Sequence, residues 1–190
     1  MKYNLNLGCG LNKMAEHINV DKHGTPDVLH DLETFPWPWP KSAVEEVVLN
    51  HVLEHLGRDP DVFIQIMCEL YRVCCDGATV RIAVPHPRHE NFLNDPTHVR
   101  PVTPAVMTLF SRKECDKWVA GGYANSPLAL YHGVDFELEN VEYKLDERWK
   151  AQAIRAGAPF NQIHAVAQQA MLYNNNVVEE IQMILRVIKP

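Results

Sequence analysis

Apolar and polar positions change period several times along the chain, and each change marks an element. From Tyr3 to Leu7 the chain alternates Tyr, Leu and Leu with Asn and then meets Gly8-Cys9-Gly10, which reads as a strand followed by a tight glycine turn. Ile18-Asn-Val-Asp21 predicts a second short strand and Asp27-Val-Leu-His-Asp31 a third, each ending on a carboxylate. Glu46-Val-Val-Leu-Asn50 predicts a fourth, apolar enough to be buried on both faces as parallel strands are. Asp59-Pro60 then opens an amphipathic helix, with Val62, Ile66, Leu70 and Val73 at helical spacing and Asp76-Gly77 as its stop.

Ala78 to Val84 is a fifth β-rich run, closed by Pro85-His86-Pro87, which begins a long loop. Thr103-Pro104 predicts a helix running to about Ala120 and ended by Gly121-Gly122. Phe136–Leu145 and Glu180–Ile188 read as late strands around a stretch of helical composition from about Phe160 to Tyr173. This order predicts an α/β fold: a Rossmann-like, doubly wound, mainly parallel sheet with late antiparallel strands. The interval from Gly10 to Asp21 leaves room only for a shortened first helix. Without a linker or an internal repeat, residues 1–190 are expected to form a single domain, with a loop at about 86–102 and a helical insertion at about 149–175.

Composition narrows the class. At 190 residues, 46% hydrophobic and 22% charged, the chain matches an ordinary globular domain. Its apolar runs fall far short of the roughly 20 residues of a membrane span. The opening Met1-Lys2-Tyr3-Asn4 leads directly into a strand instead of a charged-then-apolar leader, so a cytoplasmic protein without a membrane partner is expected. A net charge of −6, with no run of Lys or Arg, disfavours nucleic acid as a partner. The five cysteines fit neither a disulfide ladder nor zinc spacing and read as reduced thiols. Oligomeric state is left open.

On sheets of this kind ligands sit beyond the carboxyl ends of the strands, which directs attention to Gly8 to Gly10, Asp21, Asp31, Asn50-His51 and Pro85-His86. Glycines after a first strand admit a ligand close to the backbone, although a plain turn looks the same. The full G-x-G-x-x-G fingerprint needs glycine where this chain has Lys13, which counts against a nicotinamide or flavin cofactor. Asp21 could accept hydrogen bonds from both hydroxyls of a ribose, or simply form a turn.

Taken in order, Leu5-Asn-Leu-Gly-Cys-Gly10, Ile18-Asn-Val-Asp21, Asp27-Val-Leu-His-Asp-Leu32, Phe35-Pro36 and Asn50-His-Val-Leu-Glu-His-Leu56 resemble the signature of class I S-adenosylmethionine-dependent methyltransferases. Leu70-Tyr-Arg-Val73 with Asp76-Gly77 is similar to a later helix and turn of that family, where Cys74-Cys75-Asp76-Gly77 replaces the common Lys-Pro-Gly-Gly. The likeness covers residues 3 to 87. It implies a methyltransferase using S-adenosylmethionine, with S-adenosylhomocysteine as product and an acceptor of small-molecule or saccharide type. It further implies that Gly8, Cys9 and Gly10 pass the methionine and ribose, that Asp21 holds the ribose hydroxyls, that Asp31 and Leu32 flank the adenine, and that Asn50 and His51 lie near the methionine portion. Glu54 and His55, usually at a helix start in the family, read as structural.

Methyl transfer asks the protein mainly for alignment, with a base added only where the acceptor must lose a proton. The polar loop after the fifth strand supplies His86 and His98 as candidate bases and Arg88 and Arg100 as candidate acceptor-binding groups. The alternative for His98 is to tie the loop together. Two rival classes stay open: a cofactor-binding protein without catalysis, and a metal-dependent enzyme using His86, His89, Asp95 and His98, whose spacing matches no established ligand motif. The run Phe35-Pro-Trp-Pro-Trp-Pro40 reads as a rigid apolar flap over the adenine pocket or the sheet edge.

Overall fold

The predicted apolar runs become strands of one seven-stranded sheet in the computed structural model, which describes residues 2–190. They are β1 (Tyr3–Leu7), β2 (Ile18–Asp21), β3 (Val28–Leu29), β4 (Val44–Asn50), β5 (Cys74–Pro85), β6 (Phe136–Leu145) and β7 (Val178–Val187), in the order β3-β2-β1-β4-β5-β7-β6. β1 to β5 run parallel, whereas β7 pairs antiparallel with both β5 and β6. The chain winds outward from β1 to β3, then returns to the other side of β1 for β4 and β5. The winding therefore reverses between β1 and β4, and their carboxyl ends border the switch-point crevice.

One face of the sheet carries the core. Leu5 and Leu7, Val47 and Leu49, Val80 and Ile82, and Ile181, Met183 and Leu185 are at most 2% exposed. Against them packs α1 (Pro60–Val73), with Phe63, Ile66, Met67, Leu70 and Val73 on its buried stripe. Asp59 caps it by accepting from the Asp61 N–H at 2.9 Å, and Pro60 sits where a missing N–H costs nothing. Beside α1 lies the Trp-Pro flap, and both indoles join the same core. Glu69 of α1 accepts from the Trp37 N–H at 2.7 Å and pairs with Arg72, whose guanidinium donates to the Trp37 and Trp39 carbonyls at 3.0 and 2.9 Å. The Trp37 indole N–H donates to the Leu32 carbonyl, so the flap braces the segment that follows β3.

The opposite face departs from expectation. β4 is not buried on both sides: Val48, Arg81, Ile184 and Gln182 line a shallow, solvent-facing depression with Asn140 and Glu142. The shortening of the first crossover goes to its limit, because residues 8–17 form turns and no helix. Buried amides do the work of a helix there. Asn6 donates to Asn19 Oδ1 and to the Asn12 carbonyl, both at 2.9 Å, and Asn19 in turn bonds the Met14 backbone and Asp27. These bonds hold Asp27 ionised, with its pKa lowered to about 2 by the Asn19 backbone N–H, the Asn19 side chain and Lys13.

Two helix boundaries also move. α1 ends at Val73 and runs straight into β5, and Asp76-Gly77 lie in a register shift of the β4–β5 ladder instead of in a helix stop. The helix expected over 103–120 divides into α3 (Pro104–Thr108) and α4 (Arg112–Gly121). The Leu109 and Phe110 carbonyls are taken by the N–H groups of Ala129 and Phe136, and the Ser111 hydroxyl starts a new helix as its cap. α2 (Glu90–Leu93) and α5 (Leu128–His132) are short. α6 (Glu147–Arg155) and α7 (Ile163–Ala170) form a small second core with Leu145, Val177 and Val178. No helix among the described residues is long and apolar enough to cross a membrane.

Replacing Glu69 by Ala removes the acceptor that binds both the flap and Arg72. The variant should lose about 2–3 kcal/mol in urea unfolding, less than the full cost of breaking a wholly buried pair because Arg72 keeps 31% of its side chain exposed. Stability equal to the parent would show that the indoles alone hold the flap.

Candidate functional site

A cleft of about 200 Å³ opens at the switch point, lined by Gly8, Asp21, Lys22, His30, Asp31, Leu32, His51, Val52, His55 and Leu56. Its floor is the turn after β1. Gly8 has φ +67°, and a Cβ there would stand 2.5 Å from the Val52 side chain, so both the backbone conformation and the packing demand glycine. Gly10 has open space where its Cβ would be, and its N–H donates to Asp21 Oδ2 at 2.8 Å. The other Asp21 oxygen accepts from the His23 N–H at 2.9 Å. The carboxylate at the end of β2 is thereby fixed in orientation and keeps lone pairs toward the cleft. Cys9 is buried, its N–H donating to the Val20 carbonyl, and burial followed by the Asp21 charge pushes its thiol pKa up.

The far wall comes from the segment after β3. Asp31 accepts from the Glu33 N–H at 3.0 Å, and Leu32 is buried beneath the flap. His51 follows β4 with φ +55°, and its ring bonds Glu180 of β7 at 2.8 Å. Asn50 does not join this group: it lies exposed at the depression on the opposite sheet face, because it is one residue out of phase with the buried Leu49.

The loop after β5 distributes its polar groups differently from expectation. His89 is buried, accepting from the Asn91 N–H and donating to Asp146 at 3.0 Å, so both ring nitrogens are occupied. Arg88 reaches away from the cleft to Asn175 and the Met171 carbonyl. Arg100 donates to the Gly57 carbonyl and lies 4.2 Å over the Phe63 ring. Both arginines thus brace loops. His86 accepts from the Arg88 N–H and is absent from the cleft wall. The proposed ligand set His86, His89, Asp95 and His98 is not assembled. The one group among the described residues with metal-ligand spacing is Glu54, His55 and His98. His98 meets the cleft wall through His55, with ring centroids 4.6 Å apart. A larger cavity of about 400 Å³ lies by α7 and β6, lined in part by Tyr143, His164 and Met171. β6 is three strands from β4, or roughly 14 Å at the usual strand spacing, so this cavity is separate from the cleft.

Solved structures share this fold over nearly the whole chain. A SAM-dependent methyltransferase from Archaeoglobus fulgidus matches with a TM-score of 0.60 at 20% identity, covering 97% of this chain and 86% of that one. The YcgJ protein of Bacillus subtilis matches with a TM-score of 0.53 at 14% identity, covering 100% and 93%. A SAM-dependent methyltransferase from Methanosarcina mazei gives 0.53 at 12% identity, covering 100% and 95%. The chain has the class I S-adenosylmethionine-dependent methyltransferase fold. No family model and no curated protein matches its sequence.

Within this methyltransferase fold, Glu54 and His55 are the residues that sequence reasoning set aside. Glu54 is 0% exposed in an otherwise apolar turn at Leu53–His55. In the sequence Glu54 and His55 are a polar pair flanked by Val52, Leu53 and Leu56, which local pattern assigns to a helix start as readily as to a site.

Burial, followed by the Arg88 charge and the neighbouring His89, holds the His86 pKa below its ordinary 6.5. Between that lowered value and about 6.5 the unfolded chain binds more protons than the native one, so stability rises with pH across this interval. The stability difference between the parent and His86→Gln in urea should therefore shift in the parent's favour as pH rises from about 5 to about 7.5, the opposite slope from His51, whose pKa Glu54 raises, being common to both proteins. An NMR titration of His86 centred at or above 6.5 would contradict the assignment.

Proposed function

We propose that the chain binds S-adenosylmethionine in the switch-point cleft and transfers its methyl group to a small-molecule acceptor. The observation that carries this reading is the Asp21 carboxylate, oriented by two backbone N–H groups beside a glycine turn that leaves space above Gly10. A carboxylate so placed accepts from vicinal ribose hydroxyls, and the missing Cβ at Gly10 lets the ligand approach the backbone. Asp31 and Leu32 would receive the adenine, and His51 would lie toward the methionine end. The methyltransferase fold of the relatives in solved structures supports the same ligand. Acceleration would come mainly from alignment, since the sulfonium carbon is already activated.

The acceptor would enter beneath the loop 86–102, whose backbone docks on the turn beside the cleft through the Val99 N–H and the Glu54 carbonyl at 2.8 Å. His98 is the histidine of that loop whose position favours a role in transfer, while His86, Arg88 and Arg100 serve the loop's own geometry. A net charge of −6 favours a small acceptor over a nucleic acid.

Calorimetry with S-adenosylhomocysteine tests the reading. Binding by the parent is expected, with NADH giving none. Asp21→Ala should weaken binding by about 1.5–3 kcal/mol for each charge-assisted bond lost, or about tenfold to a hundredfold. Absence of heat at millimolar S-adenosylhomocysteine would reject the proposal, and an unchanged Asp21→Ala affinity would reduce Asp21 to a turn residue.

A further inference from the structure

We propose that Glu54, His55 and His98 form a binding site for a divalent first-row transition-metal ion at the edge of the cleft. The argument starts from Glu54. Its side chain is 1% exposed, and neither carboxylate oxygen has a hydrogen-bond partner. The His51 Nδ1 stands 3.4 Å from Oε1, outside hydrogen-bond geometry, and leaves Oε2 alone. A buried carboxylate with one oxygen beside His51 and the other alone carries a large desolvation cost, which a metal ion on Oε2 would offset. Arg100, the nearest guanidinium on the loop, is committed to the Leu56 and Gly57 carbonyls and to the Phe63 ring.

Two imidazoles face the carboxylate. One donor atom from each of Glu54, His55 and His98 lies within 4.8 Å of the others. Ligands at about 2.0–2.2 Å from a common ion stand roughly 3–3.5 Å apart, a closure that side-chain rotation supplies. The hydrogen bonds around the rings fix the tautomers needed. His98 Nδ1 donates to the Phe92 carbonyl at 2.8 Å, and the Phe92 ring stacks on it. His55 Nδ1 bonds Thr97 Oγ1 at 2.9 Å, and the Thr97 hydroxyl gives its own proton to Asp95, so His55 is the donor. Each ring is left with an unprotonated Nε2, and each carries the outer hydrogen bond that orients metal-binding histidines.

Two nitrogens and one carboxylate suit Mn, Fe, Co or Zn better than Mg or Ca, which prefer all-oxygen sets. Three protein ligands leave coordination positions free, as catalytic sites do. Because His55 lines the cleft, those positions border it. Resting on the methyl-transfer reading, this assigns the acceptor as a hydroxyl compound that binds the ion through oxygen. Its O–H proton passes to water as the ion lowers its pKa, the O–CH₃ bond forms, and the S–CH₃ bond breaks to leave a neutral thioether.

The test uses protein without a histidine tag, stripped with chelator and titrated with Co²⁺, which reports N/O ligation by visible absorption. One equivalent is expected for the parent. His55→Ala, at a half-buried position that the fold tolerates, and His98→Ala should each weaken uptake by at least about tenfold, the loss that even an outer-sphere substitution causes. His132→Ala, exposed on α5, should bind as the parent does. Glu54→Gln, which removes the anionic ligand at nearly constant shape, should abolish the Tm gain that Co²⁺ gives the parent. No uptake by the parent, or uptake by His55→Ala and His98→Ala equal to the parent's, overturns the proposal. Metal uptake is read without cofactor, so failure here is distinct from failure to bind S-adenosylhomocysteine.

Discussion

The structure depends on a sheet that has one strongly apolar face and must bury it against a single layer. α1 covers the β4–β5 half of that face, but no helix follows β1, β2 or β3 to cover the rest. The Trp-Pro flap joins that cover, and its two indoles reach the same core as Phe63 and Leu70. An apolar cover of proline and tryptophan has no internal hydrogen-bond ladder of its own, so its carbonyls and N–H groups need partners elsewhere. Glu69 and Arg72 supply them from one face of α1, three residues apart, where helical geometry makes them neighbours. Through Trp37 and the Leu32 carbonyl the same anchor sets the wall of the cleft. Core packing and ligand geometry are thus one mechanical unit.

Three buried carboxylates show how differently such groups are treated. Glu69 has Arg72 and a backbone N–H, which outweigh the upward pressure of burial and keep its pKa below the ordinary value. Asp146 caps α6 while accepting from Arg148 and His89, and these bonds, with Arg148 first, hold it well below the usual carboxylate range. Glu54 has no hydrogen-bond partner and only the His51 Nδ1 at 3.4 Å. Asp146 and Glu54 are among the points at which the loop after β5 is held: His89 fastens its start to α6, and the Glu54 carbonyl receives the Val99 and Arg100 N–H groups near its end. A loop pinned at both ends over the switch point is rigid enough to present His98 in one orientation.

The second sheet face follows from the same economy. Parallel sheets are ordinarily covered on both sides. Here the first crossover replaces a helix with buried amides, and Asn6 and Asn19 satisfy one another and the turns above them. Beyond β1 the exposed face carries Arg81, Glu46 and Gln182, with Arg81 and Glu46 paired at 2.7 Å, so its polar groups face water.

What the sequence determined by itself was local. Strand period, the Asp59-Pro60 cap and the carboxylate that Asp21 places at a strand end are set by neighbours a few residues away, and β1, β2, β6 and the start of α1 fall where the pattern puts them. The order of those elements was enough for the winding of the sheet and for the place of the cleft, because few topologies connect them without crossing. The alternating Asn residues of β1 were visible, but their pairing with Asn19 depends on which strand lies beside which. The tertiary structure alone decided that the helix over 103–120 breaks, since the carbonyls of Leu109 and Phe110 are claimed by residues about twenty positions away. It also decided that Arg88 and Arg100 brace loops, that His89 is sealed against Asp146, and that Glu54 and His55 face His98 across more than forty residues of chain. Side-chain partnership across such separations is fixed by the packing of whole elements, and no local period carries it.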